Sequence, residues 1–290
     1  MNFDRAALAA SGSTTLFVLL WSSGAICAKL GLVHASPLAF VILRFGLAFV
    51  VLLTVGLARR QWLPAAGTRG RVAATGALLI GSYSICYILA LQHGVTPGVL
   101  ATVLGVQPIL TLLLLERRFS AARLLGLALA LGGLVLVVYQ SIGLAHLSVL
   151  GVAFALAALG CMTIGAILQK GIHQAPATVL PLQYAVSLVL CLACLWVEPF
   201  RFDLTRDFLI EVAWMGLVIS VGATLLFYRL IRAGNLVNVT SLFYLIPGMT
   251  AIMDFLVFGN AMAPISLVGM AAILVGLALV FRTARELVVA

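Results

Sequence analysis

Charge is scarce in this sequence, and negative charge is scarcer still. Only 9% of the 290 residues are charged, and eight Asp and Glu stand against seventeen Lys and Arg. A soluble domain carries about 25% charged residues, so the low figure excludes a water-facing surface over most of the chain. A phosphate-binding loop of the Gly-Lys-Ser/Thr type is missing, which excludes ATP hydrolysis by this chain. The four histidines (His34, His93, His146, His173) stand at the ends of apolar runs, and none joins a Cys or carboxylate at metal-ligand spacing. No metal, cofactor or catalytic constellation is therefore expected, and the chain does not read as an enzyme. A lipid-modifying enzyme would gather several polar groups at one interface, and no such gathering is present. Five cysteines (Cys27, Cys86, Cys161, Cys191, Cys194) all fall in apolar runs; the odd number and the placement argue against a disulfide framework. Cys191 and Cys194 have redox-motif spacing but lie within a predicted helix, so they read as packing residues.

What is present in abundance is hydrophobicity: 64% of residues are hydrophobic and the mean hydropathy is +1.23. A spanning helix needs about 20 apolar residues. Ten such runs are expected near 14–32, 38–58, 72–92, 96–115, 120–139, 147–171, 178–197, 208–231, 236–258 and 262–281. That leaves no room for a separate soluble domain. The segment Met1–Ser13 leads into a full span, not into a short apolar stretch with a cleavage site. The net charge of +9 invites a nucleic-acid reading, but the basic residues sit in short loops between apolar runs and form no patch. Thirteen of the seventeen fall on one side: Arg5, Arg59, Arg60, Arg69, Arg71, Arg117, Arg118, Arg123, Lys170, Arg229, Arg232, Arg282 and Arg285. Lys29, Arg201 and Arg206 fall on the other, and Arg44 lies within a span. The positive-inside rule then puts both termini in the cytoplasm.

The sequence also reads twice. Pro37 and Pro176, and likewise Pro108 and Pro247, are 139 residues apart; Gly126 and Gly133 match Gly269 and Gly276 at an offset of 143. The halves, residues 1–142 and 143–290, each hold five spans. An odd number inserts the second half upside down relative to the first, giving an inverted repeat.

The segments Ala90-Leu91 to Pro108, with its tail through Glu116, and Arg229-Leu230 to Pro247, with Asp254 behind it, recur in order together with the paired glycines. In these motifs the chain resembles the ten-helix branch of the drug/metabolite transporter superfamily, whose repeated unit is the EamA domain. The resemblance covers nearly the whole chain, and is greatest to bacterial inner-membrane exporters of aromatic amino acids. It implies an all-α integral membrane protein, ten transmembrane helices arranged as two inverted five-helix repeats around a central cavity, in the bacterial inner membrane. It departs from the pattern where Arg229 replaces the alanine of the first copy and where the second copy's acid, Asp254, comes early.

Candidate site residues follow from the spans. Pro108 and Pro247 lie deep in apolar runs, where the missing N–H frees the carbonyls of Leu104 and Phe243; they are the expected hinges, and a kink mended by a neighbouring Ser or Thr is the alternative. Gln107, Ser241 and Tyr244 flank them as candidate substrate contacts, and a Gln in hydrocarbon must face the interior. Tyr83 and Tyr87 share one helix face in mid-span, placed to stack on a flat aromatic solute or to pack in the core. Trp21, beside Ser22-Ser23-Gly24, and Met162 and Thr163, beside a small-residue ridge (Ala153, Ala157, Cys161, Gly165, Gln169), are further cavity candidates. Lys29, Arg44 and Asp254 lie in the outer third of their spans and form a candidate outer gate, with snorkelling to the headgroups as the alternative.

The function expected is a secondary transporter working by alternating access. The resemblance makes it an exporter of amino acids, aromatic ones first, and of related small metabolites; ten spans can surround a cavity without a partner, so a monomer in the lipid bilayer is expected. A drug or lipid exporter on the same fold, and a passive channel, are the alternatives. No span carries an acid at its centre, which favours facilitated diffusion over proton antiport.

Overall fold

The structure, a computed structural model, describes residues 3–116, 120–139, 148–196, 198–259 and 263–289. The half boundary expected near Gly143, and the loop residues Arg117, Arg118 and His146, lie outside the described residues. Among the described residues ten helices follow one another: α1 Phe3–Gly31, α2 Pro37–Ala58, α3 Ala66–Gln92, α4 Pro97–Leu115, α5 Ala121–Val137, α6 Val149–Lys170, α7 Pro176–Ala193, α8 Arg206–Ala233, α9 Leu236–Val257 and α10 Pro264–Val289. Nine contain a stretch long and apolar enough to cross a membrane, and α5, at 17 residues, is a shorter apolar helix. Among the described residues there is no strand, only a single bridge between Ala35 and Phe202. α1 begins well before the expected Thr14, and α10 runs past the expected Phe281, because an unbroken helix satisfies its own backbone beyond the apolar stretch.

The starts and stops are written locally. Pro37, Pro97, Pro176 and Pro264 each open a helix, where a missing N–H is harmless and the ring pre-sets φ. Thr96, Ser120, Thr205 and Asn235 accept a hydrogen bond from the N–H three residues on, capping α4, α5, α8 and α9. Gly94 and Gly259 take the left-handed backbone that ends α3 and α9.

The chain forms two compact units, Met1–Ile88 with Gly160–Ala233, and Leu89–Leu159 with Gly234–Ala290. In the first, α2 packs on α7 and α8, and α1 on α8. The loop after α1 is tied to the loop before α8: Ser36 N–H donates to the Arg201 carbonyl at 2.9 Å, and the Glu198 carboxylate accepts from the N–H of Leu38 at 3.1 Å. In the second unit, α5 and α10 cross closely. A Cβ at Gly133 would lie 2.5 Å from the Gly269 carbonyl oxygen, and one at Gly276 would lie 2.5 Å from that of Gly126. The four glycines that mark the sequence repeat thus meet each other in pairs. Only hydrogen on Cα allows this approach.

The prolines behave differently from the expected mid-helix kinks. α4 is two helices, Pro97–Leu104 and Gln107–Leu115, with a turn between them, and Pro108 is the second residue of the second. α9 runs as Leu236–Ser241, one tight turn at Leu242–Tyr244, and a helix from Leu245, of which Pro247 is the third residue. Each proline sits in the first turn of a restarted helix, the place that tolerates it, so the break precedes the ring. α3 and α8 share a further feature: both widen to i→i+5 turns, over Ala77–Ser82 and Trp214–Ala223. Such turns are frequent at functional sites.

Candidate functional site

In the first unit, α2 carries Arg44 into a cluster of aromatic side chains. Its guanidinium carbon stands 4.8 Å from the centre of the Phe45 ring, and it is within electrostatic reach of the Tyr83, Tyr87 and Tyr184 hydroxyls and the Cys191 thiol. Its Nε is buried with no hydrogen-bond partner, and no ion pair is made to it among the described residues. A buried donor without an acceptor is destabilising by about 1–3 kcal/mol, more when charged, so an anionic partner would relieve it. The side chain as a whole is half-buried, not sealed.

Tyr83 and Tyr87, one turn apart on α3, have ring centres 5.9 Å apart with planes inclined at 60°, and both are half-buried. The expected shared face is present, and it lies just beyond the widened turns of α3. Tyr184 was not singled out by sequence. It is fully enclosed, packs edge-on against Phe45 at 5.3 Å, and donates its hydroxyl to the Ser220 carbonyl. It anchors the far wall of the cluster. Trp21 lies half-buried on α1 between Phe17 (5.3 Å) and Phe227 (5.7 Å). Met162 and Thr163 are buried on α6, and the neighbouring Gly165 takes the backbone of Leu79 against it, as the small-residue ridge predicts. Lys29 is exposed in the last turn of α1. Glu211, near the start of α8, is the one buried carboxylate among the described residues, and its Oε2 has no hydrogen-bond partner.

In the second unit the candidates divide. Gln107 is 1% exposed, and its Nε2 has no partner among the described residues, so it presents an unmet donor beside the break in α4. Ser241 donates its hydroxyl to the Val237 carbonyl at 2.7 Å, back-bonding within its own helix. Tyr244 is fully buried with Leu112, Leu127, Leu134 and Ile273 in an apolar cluster. Asp254 is half-buried on α9. A network absent from the sequence reading ties three helices together. Arg123 in the first turn of α5 donates through Nη1 to both Glu116 oxygens, at 2.7 and 2.5 Å, and through Nη2 to Asn235 and Asn238, both at 2.9 Å. The Asn235 amide donates in turn to Glu116 at 3.0 Å. All five cysteines are free thiols.

This is the architecture of a membrane carrier for small molecules, and the comparisons agree. The EamA-like transporter family matches the chain twice, over residues 12–139 and 149–282, so the chain belongs to that family. It is a multi-pass membrane transporter of small molecules, built from two copies of the family's unit within the drug/metabolite transporter superfamily. No curated protein matches the sequence. A solved structure described as a crystal structure of protein is similar over 96% of this chain and 98% of its own, with a TM-score of 0.80 at 20% identity, which shows the shared fold.

Proposed function

We propose that the chain exports aromatic amino acids and related small metabolites, with the substrate carboxylate on Arg44 and its ring against Tyr83 and Tyr87. The observation that carries this is the Arg44 guanidinium. It has an unmet donor and no ion pair among the described residues, and it stands among tyrosines. A planar guanidinium suits a carboxylate, because it can donate two parallel hydrogen bonds. Two half-buried phenol rings suit a flat apolar ring, each aromatic pair adding about 0.5–1.5 kcal/mol beyond area burial. Arg44 is thereby assigned to substrate rather than to a gate, while Lys29 and Asp254 keep the gating role. The breaks before Pro108 and Pro247 are the hinges of alternating access, since a helix interrupted there bends without breaking further hydrogen bonds. Trp21 closes the aromatic side of this site, and Gln107 keeps its unmet donor within the second unit. We place the protein in a bacterial inner membrane with both termini cytoplasmic, working as a monomer.

The test is counterflow. Proteoliposomes loaded with unlabelled phenylalanine are given labelled phenylalanine outside. A carrier accumulates label transiently and saturates with concentration. Linear, unsaturable flux would make the protein a channel, and no phenylalanine exchange alongside exchange of a bulky organic cation would make it a drug carrier.

A further inference from the structure

We propose a second binding site, for the phosphate headgroup of an anionic phospholipid, in a cavity of about 300 Å³ between the basic ends of α2 and α8 and the start of α7 in the first unit. Three arginines line it: Arg59, directly after α2, and Arg229 and Arg232, three apart near the C-terminal end of α8 and therefore neighbours on one face. No acidic residue lines the cavity, and none of the three makes an ion pair among the described residues. All three are exposed at the rim.

Basic residues at the ends of spans often do no more than set topology. These three are arranged in a way that topology does not require. They converge on one cavity, and that cavity also contains the start of α7, including Pro176 and Thr178. The N-terminus of an 18-residue helix carries a positive partial charge, and the N-cap residue, Ala175, supplies no side-chain acceptor to it. Three cations are thus gathered beside the positive start of α7; the C-terminal ends of α2 and α8 offset only part of this charge, and no carboxylate stands beside them among the described residues. An anion with several acceptor oxygens answers these groups together: the guanidinium forks, the positive start of α7 and the Thr178 hydroxyl.

The wall of the cavity identifies the source of that anion. Leu52, Val55 and Leu225 come from inside the spans, and Val55 is 41% exposed. A free phosphate has no use for this apolar wall. A phospholipid places its phosphate among the arginines and lays its acyl chains along Val55 and Leu225.

The full-length protein, purified in detergent and stripped of lipid, is titrated with dioleoylphosphatidylglycerol, dioleoylphosphatidylcholine or sodium phosphate and read by native mass spectrometry. Wild type is expected to take up one phosphatidylglycerol saturably. Binding should weaken by a factor of about five per arginine removed, and so fall out of range in R59Q/R229Q/R232Q, while R206Q on the opposite side binds as wild type does. Should the triple variant not purify, R229Q alone should show the fivefold loss. Equal uptake of phosphatidylcholine, or undiminished phosphatidylglycerol binding in the arginine variants, overturns the site. Displacement of the lipid by sodium phosphate at equal concentration overturns the lipid assignment and makes the ligand a free anion. None of these readouts depends on the transported substrate.

Discussion

Replacing Arg123 by Met should unlock the second unit at one end. The side chain is 2% exposed and holds four contacts of 2.5 to 2.9 Å: two to Glu116, one to Asn235 and one to Asn238. Removing one partner of a buried ion pair destabilises by about 3–5 kcal/mol, because the other charge is left without compensation. Glu116 keeps 17% of its side chain exposed, so water recovers part of that loss, and the lower end, about 3 kcal/mol, is expected. Asn238→Ala removes one charge-assisted hydrogen bond and should cost about 1.5 kcal/mol. The discriminating experiment is the double-mutant cycle with Glu116→Gln, measured by denaturation in mixed micelles. If the network is energetic, the double variant is more stable than the sum of the singles predicts, by at least about 1 kcal/mol. Strict additivity would show that Arg123 and Glu116 are merely adjacent, and would refute the reasoning.

Further expectations follow from the same geometry. Gly133→Ala places a methyl 2.5 Å from the Gly269 carbonyl and should destabilise the α5–α10 crossing by about 1–3 kcal/mol in a thermal melt. Gly132→Ala, whose Cβ meets nothing within 4 Å, should be neutral or stabilising by up to about 1 kcal/mol. Tyr87→Ala should raise the half-saturation concentration for phenylalanine by about two- to tenfold, the equivalent of one aromatic pair, with little change in the melting temperature.

Much of the fold is legible in the sequence because its signals are local. Hydropathy alone places the spans, since each needs its own apolar stretch. Proline at the first position and Ser, Thr or Asn before it mark the helix starts. The glycine pairing is legible for a different reason: Gly126, Gly133, Gly269 and Gly276 repeat because each is needed by its counterpart. The broken helices were only half visible. Pro108 and Pro247 announce an interruption, but nothing in the residue order says that the helix ends before the ring and restarts at it. The widened turns of α3 and α8 leave no local mark, since they depend on how neighbouring helices load the backbone. The site was harder still. Tyr83 and Tyr87 could be found by spacing, and Arg44 by the oddity of a charge within a span. Their meeting, with Tyr184 behind them, joins α2, α3 and α7 and needs the tertiary fold. Arg123 reads as a loop charge in the sequence, and only packing reveals that it is buried.

The central claim is that a carboxylate on Arg44 and a ring on the tyrosines define the substrate. It is tested most directly by competition. Exchange of labelled phenylalanine is inhibited with phenylalanine or with phenethylamine, which keeps the ring and amine but lacks the carboxylate, in wild type and in Arg44→Gln. Losing one partner of a buried charge pair costs about 2–5 kcal/mol, so phenethylamine should compete at least about thirtyfold less well in wild type. In Arg44→Gln that preference should vanish. Equal competition by the two compounds in wild type, or an undiminished preference in the variant, would contradict the account.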